Sequence, residues 1–391
     1  MNTQRLRSAI AFVWKAAVAA TALAGAPLAL ADINVGVVLS TTGPGASLGM
    51  PEERAIRLWG GEIAGQKAHF TILNDRSDTV AATENTRRLI EEHKVDVIVG
   101  ASITPTSLAV VEVAGASQVP VISLAGGGAI VLPQDGPRRW AFKLSPTEAI
   151  AVDRVLDHMA KSGLKTVATI GLTNSYGEGF LKTLQAAAPK KGVRIVAQEK
   201  YNATDQSVTA QVVKILAAHP DAVYIFSAGS PGALPHVELV NRGYKGRIYQ
   251  TQGVANAEFL KVGGKALDGS LMTVAPVLVA EQLPPGNPIK PVALDYLRKS
   301  DAAHGAGARS LFGATAWDAL LLLDASARVA LKKATPGTTA FRTALRDAIE
   351  SMNGFVSTEG VLSMSPQDHN GVDERSQVMV RIENGRWMYQ P

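Results

Sequence analysis

Short apolar runs rich in β-branched residues alternate with helix-period segments along most of this chain, and that alternation leaves few folds open. Ile33–Leu39, Phe70–Leu73, Val95–Val99 and Val119–Ser123 read as strands. Their apolar pattern is that of strands covered on both faces, as in a parallel sheet. Between them Pro51–Gly60, Val80–His93 and Thr106–Ala116 have helical spacing. In Val80–His93 the apolar positions Val80, Ala81, Leu89 and Ile90 leave Glu84, Arg87, Arg88 and Glu91 outside, which is an amphipathic surface helix. Strand and helix in strict turn imply a doubly wound parallel sheet with right-handed crossovers.

A second series of the same kind follows. Trp140–Leu144, Thr166–Ile170, Val193–Gln198, Val223–Ser227 and Arg247–Gln250 read as strands. Helices are expected from Pro146 to about Lys161 and over Tyr176–Ala188, Ser207–Ala218 and Pro231–Arg242. Beyond Met272–Pro276 come helices at about Pro291–Ala303, Phe312–Lys333 and Thr339–Ser351, which have no sheet of their own. From Gly360 the chain alternates and carries turn signals at Ser365-Pro366, His369-Asn370-Gly371 and Asn384-Gly385, as short antiparallel strands do. A chain of 391 residues exceeds one ordinary core. The expectation is an α/β protein of two doubly wound lobes. The late helices return to cover the first sheet and the tail joins the second. Residues 32–145 with 277–355 form one lobe, and 146–276 with 356–391 the other. Three crossings, near Ser145, Pro276 and Phe355, restrict relative motion to opening and closing about a hinge.

The N-terminus reads as an export leader over residues 1–31. Arg5, Arg7 and Lys15 precede an apolar, small-residue run from Ala16 to Leu30, and Ala29-Leu30-Ala31 supplies a small-x-small cleavage pattern. A membrane anchor needs roughly 20 apolar residues, and Lys15 with Pro27 leaves too short a run. The protein is therefore expected in the periplasm. The formal charge of +5 belongs largely to the leader, and no long basic run follows, which argues against a nucleic-acid partner. Without cysteine there is no disulfide, thiolate metal site or thiol catalysis. The seven histidines, His69, His93, His158, His219, His236, His304 and His369, form no metal-binding pair and read mostly as surface residues. Asp75 and Asp78 flank Arg76 in what reads as a solvated turn, and Trp59, Trp140 and Trp317 read as core. Gly43-Pro44-Gly45-Ala46-Ser47-Leu48-Gly49 departs from the dinucleotide spacing, and no nucleophile elbow is present, so no cofactor and no enzyme activity are expected.

Several segments together resemble the type I periplasmic binding proteins of ABC importers, in the leucine/isoleucine/valine-binding group. They are Ile33-Asn34-Val35-Gly36-Val37-Val38, Ser40-Thr41-Thr42-Gly43-Pro44, Val97-Ile98-Val99-Gly100, Val119-Pro120-Val121-Ile122-Ser123, Ser175-Tyr176-Gly177, Gly253-Val254 and Ala316-Trp317-Asp318-Ala319. The resemblance implies a Venus-flytrap fold that hands a small solute to a membrane permease, most simply as a monomer. A sensor built on the same fold is the alternative.

Ligands of open α/β sheets sit beyond the carboxyl ends of the strands. Ala101-Ser102-Ile103-Thr104-Pro105 follows one such end, with Thr104 suited to cap a helix and Pro105 to begin it. Free amides at that helix start favour a carboxylate, and the resemblance carries that contact to Ser102 and Thr104. Leu124-Ala125-Gly126-Gly127-Gly128 follows another strand end, where Ala125, Gly126 and Gly127 offer close backbone approach. Leu48 is expected at the cleft rim, and the resemblance places Tyr176 against the ligand from the second lobe. Amino-acid binders of the group hold the α-ammonium with a carboxylate before a Gly-Val pair. Here Gln252 stands there, and Ala228-Gly229-Ser230 lacks the group's frequent aromatic residue, leaving Ser230 and Gln252 as candidates. A desolvated ammonium without a counter-charge is costly, so an aromatic or aliphatic acid competes with an amino acid as the expected ligand.

Overall fold

Strand β1 (Ile33–Leu39) divides its apolar side chains between two cores. Ile33, Val35, Val37 and Leu39 point into one hydrophobic cluster and Val38 into another on the opposite face. The computed structural model describes residues 31–391, so the expected leader lies outside the described residues apart from its last position. After β1 come helix α1 (Ala46–Trp59), a short hairpin of β2 (Glu62–Ile63) and β3 (Gln66–Asn74), then α2 (Thr79–Glu91), β4 (Val97–Gly100), α3 (Thr104–Ala116), β5 (Val121–Ser123) and β6 (Ala141–Lys143). These strands make one sheet in the order β2-β3-β1-β4-β5-β6. It is parallel except for the β2–β3 hairpin. Val37 pairs with Ile72 and Val99, which puts both faces of the sheet in register for burial.

The chain then builds α4 (Glu148–Lys161), β7 (Thr166–Leu172), α5 (Ser175–Ala187), β8 (Arg194–Tyr201), α6 (Thr209–Ala217), β9 (Ala222–Phe226), α7 (Ala233–Asn241), β10 (Arg247–Gln250), α8 (Ala257–Gly263) and β11 (Leu271–Val274). Next are α9 (Lys290–His304), α10 (Leu311–Ala330), α11 (Thr339–Glu350), the hairpin β12 (Phe355–Val356) and β13 (Val361–Leu362), then β14 (Val378–Glu383) and β15 (Arg386–Gln390). The second sheet runs β15-β14-β11-β10-β9-β7-β8. Tyr224, Phe226 and Tyr249 face α4 and α5, whereas Val223, Ile225 and Ile248 face α6 and α7. Thus α9 to α11 add no sheet. Helix α10 packs along α1 over the first sheet, with Trp317 stacked edge-on to Trp59 at 4.7 Å. Strand β14 adds to the second sheet antiparallel to β11 and β15 pairs antiparallel with β14, while β12 and β13 form a small sheet of their own.

Several sequence expectations change. Helix α1 starts at Ala46 rather than Pro51, because the Gly43–Gly45 turn begins it: Ala46 N donates to Gly43 O and Leu48 N to Gly45 O. Pro51 lies inside, and its missing N–H costs one bond of the ladder. Helix α8 was not expected, although Asn256 is its N-cap and accepts from Phe259 N at 2.9 Å. His236 and His369 are buried rather than superficial. Asp75 is buried, accepting from Ser40 Oγ at 2.7 Å and Ser77 N at 2.8 Å, while Arg76 and Asp78 of the same turn are exposed as expected. Trp140 is half-buried against the Arg346 guanidinium and is not core.

Candidate functional site

The carboxyl ends of the strands in both sheets converge on one cavity of about 630 Å3, its mouth included. The loop after β4 contributes Ser102, Ile103 and Thr104, and the loop after β5 contributes Leu124, Ala125 and Gly126. The first turn adds Pro44, Gly45 and Leu48. From the second sheet come Leu172, Asn174 and Tyr176 after β7, Ala203 after β8, Ala228 after β9, and Gln252 and Gly253 after β10. Leu311 and Phe312 at the start of α10 close the wall. Of the nine residues expected at the site, seven line this cavity: Leu48, Ser102, Thr104, Ala125, Gly126, Tyr176 and Gln252.

The other two are set back. Gly127 N donates to Thr104 Oγ1 at 3.2 Å, and a Cβ there would stand 2.4 Å from Thr104 Cγ2, so Gly127 supports the wall from behind. Ser230 N donates to Ser47 Oγ at 3.2 Å, joining the second sheet's loop to α1. Ser230 lines an outer groove with Gly43, Pro44 and Met50 rather than the cavity. With Gly126 packed against the Tyr176 ring on the opposite side, the two halves of the molecule meet around the cavity. Leu311 and Phe312 were missed by sequence reasoning. Their only sequence signal is Ser310, whose Oγ accepts from Phe312 N and starts a helix remote from the other site loops.

Helix α3 begins one residue earlier than expected. Ile103 is the N-cap and provides no side-chain acceptor, and Thr104 Oγ1 is spent on Gly127. With no side chain capping it, the first turn of α3 has its amides free to meet an anion at the cavity wall. Pro105 contributes no N–H there. Ser102 Oγ accepts from Ser40 N at 2.9 Å and shares a short hydrogen bond with Glu52, whose carboxyl burial pushes up to about 8. Across the cavity Asn174 caps α5 by accepting from Tyr176 N and Gly177 N at 3.1 and 3.2 Å. This fixes the Tyr176 ring, which packs on Phe180 at 5.0 Å. The backbone approaches closely at Gly177, where a Cβ would stand 2.1 Å from Leu172 O. Gly177→Ala is expected to cost about 3 kcal/mol by overpacking, read as a lower midpoint in urea denaturation at unchanged slope.

The chemistry of the walls is simple: among the described residues no charged side chain lines the cavity. Gln252 Oε1, in the amide orientation the hydrogen bonds select, accepts from Gln377 Nε2 at 2.6 Å and is already engaged. Among the described residues no group of three or more His, Cys, Asp or Glu is arranged to hold a metal ion. Nor, among them, is any helix long and apolar enough to cross a membrane.

Residues 32–386 match the family model described as "Periplasmic binding protein". The chain belongs to the periplasmic binding protein family. This binding protein is 24% identical to the Leu/Ile/Val-binding protein homolog 3 of Brucella melitensis over 279 residues, 69% of this chain and 73% of the relative. An extracellular ligand-binding receptor from Rhodopseudomonas palustris HaA2 superposes with a TM-score of 0.89 at 40% identity, covering 92% of this chain and 100% of that one. A solute-binding protein of an R. palustris ABC transporter, solved in complex with benzoate, has a TM-score of 0.77 at 22% identity, covering 92% and 95%. That last likeness is one of fold. The expected type I architecture of two α/β units is the observed one.

Proposed function

We propose that this periplasmic binding protein captures a small organic acid without an amino group, aromatic or aliphatic, and delivers it to an ABC permease. The reading takes the lobes as residues 32–145 with 277–355 and 146–276 with 356–391. It takes the protein to be an exported monomer that catalyses no reaction. The observation that carries it is the composition of the cavity wall, which offers uncapped helix amides at the start of α3 and no charged side chain. A carboxylate finds N–H donors there, each charge-assisted bond contributing about 1.5–3 kcal/mol. An α-ammonium finds no counter-charge among the described wall residues, only the neutral Gln252 oxygen, one of whose two lone pairs already serves Gln377. The apolar remainder, Leu48, Leu124, Leu172, Leu311 and Phe312, suits a hydrocarbon body. That a protein of the same fold holds benzoate supports the size of such a ligand. Closure follows when the acid binds the closed form better than the open one.

Isothermal titration of benzoate, leucine and valine into the ligand-free protein tests this. Benzoate-class acids are expected to bind at micromolar strength, about −8 kcal/mol, with no heat from leucine. Micromolar leucine with no binding of the simple acids would overturn the reading.

A further inference from the structure

Glu52 is a carboxylic acid with no contact with water, one hydrogen bond away from the cavity wall. It sits on the face of α1 turned toward the β4–α3 loop, wholly buried, with its Oε2 on Ser102 Oγ and its Oε1 left without a partner. We propose that Glu52 is a positioning residue that keeps its proton at neutral pH and, by donating it to Ser102 Oγ, turns the Ser102 hydroxyl hydrogen into the cavity toward the ligand carboxylate. This rests on the carboxylate reading above and names the part of the site that enforces it.

The argument is a count of hydrogens. The Ser102 hydroxyl has one hydrogen and two acceptor lone pairs. Ser40 N–H takes one lone pair at 2.9 Å. An ionised Glu52 would take the hydrogen, and Ser102 would then show the cavity a lone pair, which repels a carboxylate. A protonated Glu52 instead donates to the second lone pair, and the Ser102 hydrogen is released to the ligand.

The surroundings favour the proton. An ionised carboxylate with one oxygen unpaired in a dry interior is costly. The charged groups that reach Glu52 are acids: Asp75 in the turn after β3, and Glu359 in the turn between β12 and β13. Helix α10 sets Asp318 beside Glu359, and α9 brings the Tyr296 hydroxyl to Gly313, where Pro51 O of α1 also approaches. The buried cation of the region, Lys143, lies beyond, among Glu148, Glu359 and Asp368. Asp75 is itself tied into the same chain, since Ser40 donates its hydroxyl to Asp75 Oδ1 while its amide serves Ser102. Burial pushes the Glu52 carboxyl up to about 8, in keeping with a retained proton.

The test has two arms on the full exported chain. In the first, infrared spectra at pH 7 of wild type minus Glu52→Gln are expected to show the carbonyl stretch of a protonated acid. Its absence overturns the inference and leaves the carboxylate reading standing. In the second, benzoate and leucine are titrated calorimetrically at pH 7 and pH 9. Whichever acid binds is expected to bind about tenfold more weakly at pH 9, one unit above the Glu52 value of about 8. Glu52→Gln, whose amide N–H replaces the acid O–H, is expected to bind as wild type at pH 7 and to lose the pH dependence. Wild-type affinity unchanged across that range overturns the inference without any variant. Binding of neither acid at either pH, with the infrared band present, overturns the carboxylate reading and the role built on it.

Discussion

Gln252→Glu is expected to reverse the charge preference of the cleft, weakening benzoate-class acids about a hundredfold and creating affinity for leucine. The new side chain keeps the acceptor oxygen that Gln377 Nε2 holds at 2.6 Å, so its place at the wall is preserved. What changes is a full negative charge in a cavity that has no charged side chain. Two like charges roughly 5 Å apart at an effective dielectric near 20 repel by about 3 kcal/mol, which is the hundredfold. The same carboxylate gives an α-ammonium its missing partner. Calorimetric titration of benzoate and leucine into the variant reads both effects, and unchanged benzoate affinity would remove Gln252 from the ligand's surroundings.

The largest loss of stability is expected from Asp318→Ala, about 3–5 kcal/mol, because the buried Thr358 amide loses its acceptor, the Glu359 amide loses one of its two, and the Thr358 hydroxyl loses its partner at once. Asp318 lies wholly buried within α10 and accepts from Thr358 N at 2.8 Å, Thr358 Oγ1 at 3.0 Å and Glu359 N at 3.1 Å. It thereby pins the turn between β12 and β13, at the last of the expected lobe crossings. Asp318→Asn, which keeps an acceptor oxygen, is expected to recover much of the loss. Urea denaturation of both variants measures it.

The same pair sets a pH dependence. Burial pushes the Asp318 and Glu359 carboxyls upward from their ordinary values, and repulsion from Asp318 adds to the rise at Glu359. The folded protein thus holds protons that the unfolded chain releases above the ordinary carboxylate range, and stability falls as pH rises. The contribution is complete below the unfolded values and is lost as pH climbs to the raised folded ones. The melting temperature is accordingly expected to fall between pH 5 and pH 8, and Glu359→Gln to flatten that fall.

Much of this molecule could be read along the chain. Runs such as Val97-Ile98-Val99 and Val121-Ile122 are apolar throughout because helices cover both faces of their sheet, and that pattern alone implies parallel strands. The loops at the strand ends follow from the alternation, and the family resemblance then pointed within them to Ser102, Thr104, Tyr176 and Gln252, which with Gly126 line one cavity. Ser230 was misplaced because its loop reaches across to Ser47, a contact between residues 183 positions apart.

The buried acids were invisible. Pro51-Glu52-Glu53-Arg54 reads as a solvated stretch of helix, and Glu53 indeed pairs with Arg57 at the surface. Glu52 differs from its neighbour because it faces Ser102 in the β4–α3 loop while α10, from the far end of the chain, lies along α1. His369 likewise reads as a turn residue, yet it stacks on Phe142 at 4.2 Å. Local periodicity determines which segments become strands and helices, and their order determines where loops gather, because both depend on neighbours along the chain. Which polar side chains end up dry, and so which of them keep or lose a proton, depends on segments hundreds of residues away, and that was decided only when the late helices and the turn between β12 and β13 closed over the first sheet.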